Sequence, residues 1–83
     1  MKPKLKEGYN KLLKEIQNEF KGKLVIGNYA ELEVGSSRRS EICVEKEVYD
    51  SYYFKQIFKA GIVKYGLLPL QIKVIAIKRQ VVR

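Results

Sequence analysis

Leu5, Tyr9, Leu12, Leu13, Ile16 and Phe20 recur three or four positions apart and fall on one stripe of a helix. Lys6, Asn10, Lys14, Gln17 and Lys21 fall on the opposite face, and Glu15 and Glu19 share a flank. Pro3 suits the first turn of this helix and Gly22 its end. The period then changes. Leu24-Val25-Ile26 and Tyr29 to Val34 are β-like runs around Gly27-Asn28, a two-residue hairpin signal. The alternative is one long strand kinked at Gly27. Gly35 to Ser40 reads as a polar turn with Arg38-Arg39 at its tip. Ile42, Val44 and Val48 next alternate with Glu41, Cys43, Glu45 and Glu47, which predicts a half-buried strand with an acidic outer face.

Asp50 or Ser51 can cap a second helix and Gly66 can end it. Phe54, Ile57, Phe58, Gly61 and Tyr65 form its inward stripe, while Tyr52, Lys55, Gln56 and Lys59 point the other way. After Pro69, Leu70 to about Gln80 reads as the last strand. Its centre, Val74-Ile75-Ala76-Ile77, is apolar on both faces, the mark of an interior strand. The order helix–strand–strand(–strand)–helix–strand predicts one α+β domain over 1–83, a small mixed sheet with two helices. Glu41–Gln80 forms its strand–helix–strand unit, with a right-handed connection. Strands apolar on both faces require the helices to divide between faces or a second subunit to cover one. A homodimer is therefore expected.

Charge adds a partner to this picture. The chain carries 17 lysines and arginines against 9 acids, a net charge of +8. The excess sits at the ends: Ser51 to Arg83 holds seven bases and no carboxylate, whereas Leu24 to Asp50 holds six acids and three bases. A cationic surface of this kind attracts polyanions, nucleic acid first among them. Membrane insertion is not expected, since no run approaches the roughly 20 apolar residues of a span. The basic start, Met1 to Lys6, lacks the apolar segment of a signal peptide. With one cysteine, Cys43, no internal disulfide forms, and a cytoplasmic or intracellular setting follows. Abundant Lys, Glu, Ile and Val without His, Trp or Thr is also the balance seen in thermophiles.

The absence of histidine removes His-based zinc sites, Ser–His triads and histidine general bases. There is no glycine-rich phosphate loop. What remains is phosphate chemistry at the surface. Tyr52, Lys55, Gln56 and Lys59 place two lysines one turn apart beside a ring that can stack on a base or bond to phosphate. Arg38 and Arg39 offer planar guanidinium forks at a loop tip. Lys73, Lys78, Arg79 and Arg83 add positive field without a defined geometry.

The acids form a second constellation. Glu31 and Glu33 on one strand and Glu45 and Glu47 on the next share odd positions, and in-register pairing would project all four from one face. Carboxylates so placed suit Mg²⁺ or Mn²⁺. The element order resembles the core of the PD-(D/E)XK nuclease superfamily. That resemblance puts Glu31 at the first acid position and Glu45-Lys46-Glu47 at the second motif, with Glu15 or Glu19 as the first-helix acid. Glu47 stands where the motif has lysine.

Three functions are thus in view. The first is a small basic nucleic-acid-binding module for DNA or RNA, non-catalytic, without a cofactor, held by backbone contacts through Arg38, Arg39, Tyr52, Lys55, Gln56 and Lys59. The alternative is a protein-interaction or regulatory module, for instance a virus-encoded factor with an acidic protein partner. The third is a metal-dependent nuclease, the one reading that requires Mg²⁺ or Mn²⁺, with Glu31, Glu45 and Glu47 as its catalytic acids.

Overall fold

Helix α1 runs from Pro3 to Glu19 in the computed structural model, which describes residues 3–30 and 39–78, with side chains from Lys6 onward. Tyr9, Leu12 and Ile16 are buried, with Leu13 and Phe20 packed against them, as the stripe predicts. Leu5 lies outside the described side chains.

Strand β1 (Val25–Asn28) passes straight through Gly27, so the expected hairpin turn at Gly27-Asn28 does not form. Gly27 pairs with Ile42 inside the ladder. Among the described residues only Gly22 and Gly66 have positive φ, the conformation such a turn requires. Glycine stands at this point because α1 lies directly on the strand. The run expected over Tyr29–Val34 falls mostly outside the described residues, as do Glu31, Glu33 and Arg38.

β1 pairs antiparallel with β2 (Ser40–Glu45), Val25 opposite Val44 and Asn28 opposite Glu41. β2 pairs parallel with β3 (Ile72–Ile77), Ser40 beside Ile72 and Glu45 beside Ile77. The mixed sheet has the order β1-β2-β3. The Tyr9 hydroxyl ties its first pair together, donating to the Glu41 carbonyl and accepting from the Asn28 N–H at 2.8 Å. Ser40 adds a second tie, its Oγ accepting from the Ala30 N–H at 2.9 Å.

The acidic strand is shorter than expected. β2 stops at Glu45, and Lys46–Tyr49 turns once as helix α2. The spacing of Val44 and Val48 serves a helical turn as well as an alternating strand, and Val48 is buried through that turn. Glu47 therefore stands on α2 and not on a strand face.

Helix α3 (Tyr52–Lys64) begins at Ser51, whose Oγ accepts from the Phe54 N–H. It ends in a Schellman motif: Leu67 N–H bonds to the Ile62 carbonyl and Gly66 N–H to Val63, with Gly66 at φ 64°. Leu67 and Ile62 are both buried, which supplies the motif's apolar contact. A short 3₁₀ turn, Pro69–Gln71, takes up Leu70, and the last strand starts two residues later than expected.

One core cluster joins Tyr9, Leu12 and Ile16 of α1, Phe54 and Ile62 of α3, and Val25, Ile42, Val44 and Ile72 of the sheet. Both helices thus cover the same sheet face. Side chains of alternate parity face the other way: Ile26 of β1, Glu41 and Cys43 of β2, and Lys73 and Ile75 of β3. Among the described residues no helix or strand packs on that face. β3 also pairs on one side only among them, an edge strand where its two-sided apolarity predicted an interior one. No described helix is long and apolar enough to cross a membrane.

Candidate nucleic-acid interface

The capped start of α3 sets the rotation of its faces. Phe54, Gly61 and Ile62 turn into the core, with Ile57, Phe58 and Tyr65 half-buried beside them. A Cβ on Gly61 would come within 2.3 Å of Leu12, so α1 and α3 touch closely there. Tyr52, Lys55, Gln56 and Lys59 are all exposed, Tyr52 by 74%. At 1.5 Å rise per residue, Lys55 and Lys59 stand about 6 Å apart along the axis.

Neither lysine has a carboxylate partner among the described residues. Other cations do: Lys23 pairs with Glu47 at 2.9 Å, Lys46 with Asp50 at 2.8 Å, and Lys64 with Glu15 at 3.2 Å. Contact with Asp50 raises Lys46 above the usual lysine range, and contact with Glu15 does the same for Lys64. Two acids of α1, Glu15 and Glu19, serve the seam with α3. Glu15 accepts from the Tyr65 hydroxyl at 2.9 Å and Glu19 from the Tyr53 hydroxyl. The Tyr65 bond, with Lys64 assisting, holds Glu15 below the usual carboxylate range. Negative charge is thus drawn into the seam, and the outer side of α3 stays cationic.

Arg39 is exposed but does not join this face. It precedes Ser40, which pairs with Ile72 at the end of the sheet where α3 finishes, whereas Tyr52 stands where α3 begins. The structure brings Tyr52, Lys55, Gln56 and Lys59 together on α3 and leaves Arg39 toward the opposite end of that helix from Tyr52. Lys11 and Lys14 were not foreseen as part of a site. Both are exposed on α1, which lies beside α3 on the same side of the sheet. Only the packing of the two helices puts these lysines on the same side of the sheet as α3.

The acidic constellation is placed differently from expectation. Glu45 is buried, 6% exposed, and its Oε1 accepts from the Leu24 N–H at 2.7 Å. β1 runs from Val25, opposite Val44, to Asn28, opposite Glu41, and Glu31 and Glu33 lie outside the described residues. Glu47 is drawn toward Lys23. Among the described residues no three His, Cys, Asp or Glu side chains come together in a way that would hold a metal ion. Burial, with Glu41 adding to it, pushes the Cys43 thiol up, which slows its reaction with thiol reagents without abolishing it.

No protein-family model, curated protein or solved structure matches this chain. The chemistry of its own side chains alone bears on function.

A cavity of about 10 Å³ lies between Tyr9, Tyr29, Ser40 and Gln71. The buried Gln71 Oε1 has no hydrogen-bond partner among the described residues. The space suits one water molecule and not a substrate.

Proposed function

We propose that this chain is a small, non-catalytic nucleic-acid-binding module whose α3 outer face meets the phosphate backbone. The observation that carries this reading is the free charge on that face. Lys55 and Lys59 stand one turn apart, exposed and without a carboxylate partner among the described residues, next to the exposed ring of Tyr52. Lysines so placed release counterions on meeting phosphates, and the contact carries no sequence information. Lys11 and Lys14 add positive charge on α1, on the same side of the sheet as α3. Charge from Ser51 onward is uniformly positive in sequence, which strengthens attraction without adding geometry.

A salt series with random duplex DNA, single-stranded DNA and structured RNA tests the proposal. Affinity for at least one class should fall steeply with salt. Lys55→Ala/Lys59→Ala should weaken binding to all sequences alike and flatten the salt slope by about two phosphate contacts. Unchanged affinity in that variant would move the interface away from α3. Cleavage of the same probes in Mg²⁺ or Mn²⁺, abolished by chelator, would replace binding with the nuclease reading.

A further inference from the structure

We infer that the open face of the sheet is where two copies of this chain pack, about a two-fold axis running along the gap between β2 and β3. Ile26 is 48% exposed there, and Cys43 and Ile75 are half-buried at the same level of the sheet, paired in register across the three strands. One level away Glu41 and Lys73 are neighbours in register. An axis between β2 and β3 exchanges those strands. It stacks Glu41 on the partner subunit's Lys73, Lys73 on the partner subunit's Glu41, and Cys43 on the partner subunit's Ile75. The face is therefore complementary to itself in charge as well as apolar at its centre. Pairing of two β3 edges would leave Cys43 in water, whereas stacking of faces covers it with the partner subunit's Ile75.

The face is small. Only β2 and β3 overlap across this axis, and two strands about 4.8 Å apart with six residues of about 3.3 Å each give roughly 200 Å², against about 800 Å² per partner in a standard interface. Association is accordingly expected to be weak and to show only at high protein concentration. Dimerisation through this face is independent of the nucleic-acid reading. If that reading also holds, the two α3 outer faces point to opposite sides of the dimer, which then bridges two nucleic-acid segments.

Sedimentation over a wide concentration range, combined with a charge swap, tests the inference. The wild-type chain should dimerise. Glu41→Lys alone and Lys73→Glu alone should each weaken self-association by about tenfold or more, since each sets like charges face to face. An equimolar mixture of the two variants should dimerise again, because every contact in the mixed pair joins unlike charges. Pairing of Glu41 with Lys73 inside one protomer cannot give that recovery. A wild-type monomer throughout, or a mixture that fails to recover, would overturn the proposal. The wild-type chain alone offers a second measurement. At nine-tenths dimer the rate of Cys43 modification by a maleimide should fall about tenfold, because only the free protomer reacts. A rate independent of protein concentration would place any dimer contact elsewhere, at the β3 edge or on the helices.

Discussion

Leu13 of α1 lies so close over Gly27 of β1 that a methyl group there would come within 2.3 Å of its Cδ2 atom. The same methyl would stand 2.8 Å from the Tyr9 hydroxyl oxygen, which ties Asn28 to Glu41. Gly27→Ala is therefore expected to destabilise the fold by about 1–3 kcal/mol through overpacking. In a Leu13→Ala background the penalty should shrink, since the two positions contact each other. Urea unfolding of the four variants measures both effects.

That contact also explains which parts of the fold were legible in the sequence. Helical stripes depend on local periodicity, so the inward residues of α1 and α3, the Ser51 cap and the Gly66 terminus were readable. Gly27 was not, because glycine at a turn and glycine beneath a packed helix look alike in one dimension. Glu45 misled for a related reason. Alternation assigned it to the outer face, but the chain turns into α2 immediately afterward and the carboxylate folds onto the Leu24 N–H. The exposed residues of α3 were legible as a group. That Lys11 and Lys14 share their side of the sheet, and that Arg39 lies toward the other end of α3 from Tyr52, depend on tertiary packing alone.

Glu15 makes stability pH-dependent. Its carboxyl group is held below the usual range by the Tyr65 hydroxyl first and Lys64 second. A depressed folded-state pKa contributes stability above the unfolded-state value, and the contribution disappears as pH falls through the folded-state value. Glu15→Gln should thus lower Tm near pH 7, and the gap from wild type should close as pH drops below about 4. Tyr65→Phe should narrow the same gap. A gap that stays constant with pH would show that charge at Glu15 is not the cause.

The side-by-side helices predict where charge matters. Lys11→Ala/Lys14→Ala should flatten the salt slope of nucleic-acid binding by about one or two contacts, because both lysines share the helix side of the molecule. Lys73→Ala removes one charge, half as many, from the open sheet face and, at concentrations where the chain is monomeric, should change affinity only slightly, through the long-range field. Equal losses per charge removed from the two sides would mean that net charge alone, without a defined surface, governs binding.

Tyr52 separates the two ways in which α3 can hold its ligand. Its ring is 74% exposed at the start of the helix, one turn before Lys55 and Gln56. Stacking on an unpaired base requires the ring and not the hydroxyl, and is worth about 1–3 kcal/mol per base. A hydrogen bond to phosphate requires the hydroxyl. Tyr52→Phe should therefore preserve binding to single strands if the ring stacks, whereas Tyr52→Ala should weaken it by about 5- to 150-fold at that energy. Duplex binding, where bases are already stacked on one another, should respond to both substitutions alike through the lost hydroxyl. Titrations of the two variants with single-stranded and duplex probes at one salt concentration decide between these roles. Full affinity of Tyr52→Ala for both probes would remove Tyr52 from the interface and leave the lysines to act by charge.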